Sequence, residues 1–261
     1  MSGWHILTLV WLVAALTMLA GWRWQRRYGN AGIVDVLWAA CLACGALLLA
    51  VLGRGSPAPR TLLAILAGGW GLRLAYHLCK RLQREGEDGR YRELRAHWRG
   101  AEWHWLAFFQ VQALSVAILA LPFLAVATNR HATTPWLALG IMIWLLAVIG
   151  EAAADAQLAR FRADPAHRAH TCRSGLWRYS RHPNYFFEWL HWLAYVALAA
   201  GSPLWGLAWI GPLVMFVFLR YLSGIPWAEA QALRTRGDDY RAYQRTTSML
   251  FPWFPRERKV Q

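Results

Sequence analysis

Ionisable and hydrogen-bonding side chains recur at helical spacing inside otherwise apolar stretches of this chain. Asp35 stands in Gly32-Ile33-Val34-Asp35-Val36-Leu37-Trp38, near one end of such a stretch. A carboxylate there either favours the start of a helix or handles a proton in a cavity. Arg73, His77, Arg81 and Arg84 follow in steps of three and four and so share a helix face, with Tyr76 and Lys80 close by. Snorkelling to a membrane boundary explains Lys80 to Arg84, whereas Arg73 lies deep enough to need a partner. Glu151, Asp155 and Arg162 fall one or two turns apart, and carboxylates four residues apart repel unless a cation or donor separates them. Finally, Arg181-His182-Pro183-Asn184-Tyr185 opens another apolar run, and Asn184, Glu188, His191 and Tyr195 continue it as a polar stripe. Ionisable groups at the centre of a hydrocarbon layer cost ~2.5–3.5 kcal/mol or more and usually face a bundle interior or a wet cavity. Hydrogen bonding between helices is the plainer reading of such a stripe; a ligand site is the stronger one.

These residues need membrane helices to position them. Seven apolar segments cover roughly 4–22, 32–52, 61–80, 104–127, 135–159, 183–200 and 204–223, each near the ~20 residues a spanning helix requires. Gly201-Ser202-Pro203 joins the last two, with Ser202 placed to cap and Pro203 to begin a helix. Arginines crowd the connections after the first, third and fifth segments and the tail, while Arg54, Arg60 and Arg130 alone stand in the others. The positive-inside rule then puts the N-terminus outside and the C-terminus in the cytoplasm. The expected fold is all-α and polytopic, with seven transmembrane helices in a single domain over 1–261. Its cytoplasmic loops would be about 81–103 and 160–182, and its cytoplasmic tail 224–261. Gly68-Gly69-Trp70-Gly71, inside a segment, suggests close helix packing.

Composition agrees. Of 261 residues 57% are hydrophobic, above the usual share for soluble domains, and 18 are Trp. A net charge of +14 on a soluble chain would point to nucleic acid, but here the cations lie between apolar runs. They therefore report topology and an anionic ligand reached from the cytoplasm, with no nucleic-acid partner. Arg forks match phosphates. Cys41-x-x-Cys44 lies in an apolar run without a second ligand pair, so no metal site is expected, and no disulfide framework emerges. The N-terminal segment lacks a basic leader and reads as a membrane helix rather than a cleaved signal. Neither a Walker motif nor a Gly-x-Gly-x-x-Gly after a strand is present, which excludes the soluble nucleotide folds.

The run Ser174-Gly175-Leu176-Trp177-Arg178-Tyr179-Ser180-Arg181-His182-Pro183-Asn184-Tyr185-Phe186-Phe187-Glu188 resembles the steroid 5-alpha-reductase family, and its bacterial branch most closely. Gly32 to Trp38, Gly86-Glu87-Asp88-Gly89-Arg90-Tyr91, Glu151 with Asp155, and Asp238-Asp239-Tyr240-Arg241-Ala242-Tyr243 ahead of Phe251-Pro252 extend the resemblance over most of the chain. The resemblance implies an NADPH-dependent reductase of the C4–C5 double bond of 3-oxo-Δ4-steroids or a related enone lipid. Hydride would pass to the β-carbon and a proton to the α-carbon, with donors polarising the carbonyl. It also implies cofactor binding by Asp155, Arg162, Asn184 and Glu188, and by Arg81 and Arg84 after the third helix. Arg90, Tyr91, Glu151, Arg178, Arg181, His182, Tyr185 and Tyr240, which belong to the same motifs, join that set. Asp35 stands in place of the family's polar pair on helix two. Trp70 falls near its helix-three tyrosine position, with Tyr76 further along. Asp35 and Tyr76 are accordingly the expected catalytic residues, and Asp35, Trp38 and Trp70 the expected substrate contacts.

The competing reading is a methyltransferase of the isoprenylcysteine or phospholipid type, which shares an Arg-His-Pro-x-Tyr motif followed by Glu and binds S-adenosylmethionine. Asp35, Asp155 with Arg162, Asn184 and the Arg-rich loops favour the reductase. A transporter would show inverted repeats or paired broken helices, and neither is evident. The expected setting is a monomer among membrane lipids, in a bacterial inner membrane.

Overall fold

The computed structural model describes residues 2–84, 86–99, 101–167 and 169–256, and among them it is all helix, turn and loop, without a strand. Helix α1 (Gly3–Tyr28) starts where the Ser2 side chain accepts the His5 N–H and stops at Gly29, whose φ of 71° suits a residue without a side chain. Arg26 and Arg27 in its last turn complement the helix dipole. Helix α2 (Ile33–Leu52) carries Asp35 in its first turn, the favourable end for a carboxylate. Helix α3 (Pro57–Leu63) passes through a π-turn at Ala64–Gly68 into α4 (Gly69–Arg84), giving one rod from Pro57 to Arg84. Asp88 caps α5 (Gly89–Trp98) by accepting the Arg90 N–H. Then come α6 (Glu102–Leu119) and α7 (Leu121–Ala127), the long α8 (Thr134–Ala163), α9 (Pro183–Leu198), α10 (Trp205–Ala208), α11 (Ile210–Val217) and α12 (Ile225–Thr246). A second π-turn, Phe218–Leu222, follows α11, and Gly237 kinks α12 with φ 47°.

Among the described residues six helical stretches are long and apolar enough to cross a membrane: Gly3–Tyr28, Ile33–Leu52, Pro57–Arg84, Glu102–Ala127, Thr134–Ala163 and Trp205–Thr246. They are consistent with an integral, multi-pass membrane protein. The segment expected at 183–200 is realised as α9, with 16 residues. That is roughly 24 Å of helix against a hydrocarbon layer of about 30 Å, so α9 falls short of the other six. The last apolar segment also begins differently. Ser202 Oγ accepts the Leu204 N–H at 3.2 Å, and the helix starts at Trp205 rather than at Pro203.

Contacts divide the chain into two units. The first comprises Met1–Ala138 and Tyr195–Gly211. In it α1 packs on α2 and α6, and α2 on α4. Ile6, Val10, Ala14 and Met18 recur every fourth residue to make the buried face of α1. Small residues bring α2 and α4 together. A Cβ on Gly71 would stand 3.0 Å from Ala43 Cβ and 3.2 Å from the Ala39 carbonyl oxygen. Gly71→Leu should therefore lower stability by about 1–3 kcal/mol through overpacking. Gly69→Ala, whose added Cβ meets nothing within 4 Å, should be neutral or gain up to ~1 kcal/mol. Thermal unfolding in detergent checks both, and equal midpoints for the Gly71 variant and the parent would refute the close approach.

The second unit comprises Leu139–Ala194 and Pro212–Gln261. Here Gly150 of α8 receives the Phe187 ring of α9. The segment before α9 is fastened to α12 and the residues after it. Arg173 pairs with Asp239 at 2.7 Å, the Arg181 N–H reaches the Ser248 carbonyl at 2.8 Å, and the Tyr243 hydroxyl donates to the Trp177 and Ser180 carbonyls. The Trp177 indole in turn donates to the Ala154 carbonyl of α8 at 2.9 Å.

Candidate functional site

Polar side chains gather in one cluster in each unit. In the first, the opening turn of α2 presents Asp35 to α5. The Tyr91 hydroxyl donates to Asp35 Oδ1 at 2.7 Å, and the Arg90 guanidinium reaches Oδ2 at 3.4 Å. Asp88 holds the same guanidinium with two bonds of 3.2 Å, caps α5 through the Arg90 N–H at 3.0 Å, and pairs with Arg81 at 3.3 Å. Glu87 accepts from Arg95 at 2.8 Å and from the Ala31 N–H at 2.8 Å, so this loop is tied to the residues that precede α2. Burial raises the Asp88 carboxyl, but the Arg90 donors outweigh it and leave it below the ordinary carboxylate value. Burial first, and the Asp35 charge second, push the Tyr91 hydroxyl well above 10.0. It therefore stays protonated and able to donate. A recess of about 30 Å3 lies among Asn30, Gly32, Asp35, Leu78, Arg81, Leu82, Gly86 and Asp88. That is room enough for a water or a small polar group.

Other residues of this unit stand apart from that cluster. Tyr76, expected beside Asp35, is 61% exposed, makes no hydrogen bond to Asp35, and carries the Lys80 ammonium 4.4 Å from its ring centre. Trp38 donates its indole N–H to Ser115 Oγ at 2.9 Å, which fixes it against α6. Trp70 is buried, while Arg84 is exposed.

In the second unit Glu229 is the hub. Its Oε1 accepts from Arg181 Nε at 2.8 Å and the Tyr240 hydroxyl at 3.3 Å, with His182 Nε2 at 3.4 Å. Its Oε2 accepts from Gln244 at 2.9 Å. Burial takes His182 below its ordinary 6.5, although Glu229 pulls the other way. Its ring stacks on Tyr185 at 5.5 Å. Asn184 donates to Asp155 Oδ1 at 3.1 Å, joining α9 to α8, and its Oδ1 accepts the Tyr185 N–H at 3.0 Å. Glu151 and Glu188 are half-buried, and Arg162 and Arg178 are exposed. Arg162 lies close enough to repel Arg236, whose Nε is buried without a hydrogen-bond partner. Asp239 and the Tyr240 ring, 5.3 Å away, attract the same Arg236 guanidinium.

The residue pattern singles out Asp35, Arg181, His182 and Asn184, and the family resemblance adds Arg90, Tyr91 and Tyr240; each has a place in these hydrogen-bonded groups. Glu229, Gln244 and Arg236 were missed. A signal was present for two of them: Glu229, Tyr240 and Gln244 stand at i, i+11 and i+15, close to whole turns of a helix.

The family described as "Protein of unknown function (DUF1295)" matches residues 21–247. The chain is also 28% identical over 256 residues to an uncharacterized protein of Schizosaccharomyces pombe, covering 85% of this chain and 73% of that one. No solved structure matches it.

Proposed function

The chain belongs to the DUF1295 family, and we propose that it is an NADPH-dependent membrane reductase of the C4–C5 double bond of 3-oxo-Δ4-steroids or a related enone lipid. The observation that carries this reading is the bond from the Tyr91 hydroxyl to Asp35, with Arg90 alongside; Asp35 also lines a small recess with Asn30 and Arg81. Bound NADPH supplies the hydride that the β-carbon accepts. Electron density then moves to the carbonyl oxygen, where a preorganised donor lowers the barrier. Arg90 offers a charge-assisted donor through the guanidinium nitrogen not bonded to Asp35 or Asp88, and Tyr91, positioned by Asp35, becomes a second donor when its one hydroxyl hydrogen turns from Asp35 to the substrate oxygen. The α-carbon takes up a proton, so one NADPH and one proton are consumed for each saturated ketone formed. In this reading Tyr91, which the resemblance placed with the cofactor residues, takes the part that the resemblance gave to Tyr76.

Side chains of the second unit support the cofactor part of this reading. Arg162, which is exposed, and Arg236 beside it are the guanidinium groups of this unit that would meet its phosphates. Asn184, held by Asp155, and Glu188 supply the neighbouring amide and carboxylate. In this reading α9 is a short seventh crossing, the N-terminus lies outside, and the Arg-rich loops and tail face the cytoplasm of a bacterial cell.

The purified chain in lipid nanodiscs tests the proposal directly. It should bind NADPH and oxidise it when a Δ4-3-oxosteroid is added, while Asn184→Ala and Glu188→Ala weaken NADPH binding about tenfold, the effect of losing one good hydrogen bond. Tight binding of S-adenosylmethionine with no binding of NADPH would replace the reductase by the methyltransferase.

A further inference from the structure

The first unit contains a cavity of about 740 Å3 beyond the end of α2 opposite Asp35. At the rise of an α-helix, Gly53 on its wall lies roughly 27 Å along α2 from Asp35, so the two places are separate. Its rim is rigidly built. Asn129, fully buried, donates to the Leu198 and Ala200 carbonyls at 2.9 Å each, and its Oδ1 accepts the His131 N–H at 3.1 Å. The N–H groups of Gly55 and Ser56 bond to the carbonyls of Ala127 and Asn129 at 2.8 and 2.7 Å. Gly201, at φ 95°, passes so close to His131 that a Cβ would come 2.6 Å from its carbonyl oxygen.

The charge on the walls is of one sign. Arg54, Arg130 and His131 line the cavity, and no carboxylate does. Among the described residues the Arg54 guanidinium makes no hydrogen bond or ion pair, and Arg130 uses only its Nε, toward the Arg54 carbonyl at 3.2 Å. Arg60, the third cation of these connections, is spent on the Ala50 and Val51 carbonyls at the end of α2, at 2.7 Å each. The floor is apolar, from Ile6, Leu49 and Leu124. Concave walls with two unneutralised guanidinium groups concentrate anions. The planar forks suit a phosphate above other anions, and the volume is that of a small-molecule site.

We propose that this cavity binds a phosphate group, carried by an anionic lipid whose hydrocarbon meets the apolar floor or by a free phosphate ion. The site is independent of the reductase reading, because its occupancy is measured without turnover. The test uses the full chain in phosphatidylcholine nanodiscs, with thermal unfolding and native mass spectrometry as readouts. Phosphatidylglycerol added to the nanodisc, or inorganic phosphate added to the buffer, should raise the melting temperature. Arg54→Gln should weaken that binding about tenfold, and so should Arg130→Gln. A response to phosphatidylglycerol alone assigns the lipid as the source, and one to inorganic phosphate assigns the free ion; both support the site. Arg54→Gln, which breaks no internal bond, remains a valid test should Arg130→Gln fail to fold. Binding that is absent in the parent, equal for phosphatidylcholine, or unchanged in Arg54→Gln overturns the proposal.

Discussion

Replacing Asp35 by Asn should slow enone-dependent oxidation of NADPH by about a hundredfold while changing NADPH affinity less than about threefold, on the usual scale for removing a group that orients a transition-state donor. The substitution is close to isosteric, and Arg90 keeps its two bonds to Asp88, so the loop from Glu87 to Tyr91 stays in place. What changes is the acceptor of the Tyr91 hydroxyl. A charged carboxylate oxygen 2.7 Å away fixes the position of the Tyr91 oxygen, from which its hydrogen turns to the substrate, and a neutral amide fixes it less firmly and can turn its NH2 toward it. Tyr91→Phe should lose a comparable factor. Combining the two should cost little more than either alone, because residues that act as one unit are not additive. The Tyr91 hydroxyl is held well above 10.0, so the rate should show no loss from its ionisation across neutral pH. Single-turnover NADPH oxidation, set beside equilibrium binding of NADPH, separates the two quantities. Equal losses of rate and affinity in Asp35→Asn would move Asp35 out of the reacting end of the site.

Much of this arrangement was legible in the sequence, and the gaps have physical causes. Apolar runs and the placement of arginines disclose a helical membrane chain, since hydropathy and charge alternation are local properties of the residues themselves. Whether 183–200 makes a full crossing is not local: Pro183 stands where α9 begins, and the Asn129 amide, far off in sequence, takes the Leu198 and Ala200 carbonyls where it ends. Asp35 draws attention as a carboxylate in an apolar run, but its partner does not follow from periodicity. Tyr76 lies on a helix with the right neighbours, yet it turns outward beneath Lys80. Tyr91 arrives from 56 residues away because Glu87 and Asp88 tie their loop to Ala31 and Arg81. Only tertiary structure decides between two such tyrosines. Glu229 was hidden for a related reason. It stands in a polar helix that reads as solvated, and its meaning comes from Arg181, 48 residues earlier.

Glu229→Ala should destabilise the chain by about 3 kcal/mol, the low end of the range for breaking a buried ion pair from one side. Arg181 and Glu229 are only 11% and 17% exposed in their side chains, so water compensates little for a lost partner. Arg181 would keep its bonds to the Gln244 and Thr247 carbonyls, at 3.0 and 2.9 Å, but its charge would have no counter-ion there. Tyr240 and Gln244, on the same helix, would each lose their acceptor on Glu229 as well, and α12 would lose its ion pair with Arg181 while the backbone-directed bonds to that segment remain. Glu229→Gln keeps an acceptor oxygen without the charge and should fall between Ala and the parent. The pair Arg181→Met with Glu229→Leu should recover much of the loss, since an apolar pair removes the stranded charge along with its partner. His182 sets a pH signature on the same contacts. Its folded value lies below 6.5, so the unfolded chain takes up the proton more readily, and this contribution to stability should be full above pH 6.5 and fade as the pH falls through the folded value. Melting of the detergent-solubilised chain between pH 7.5 and pH 5, parent against variants, reads every one of these effects. A Glu229→Ala variant that melts with the parent at neutral pH would mean that α12 is held by its apolar contacts, with Glu229 a bystander.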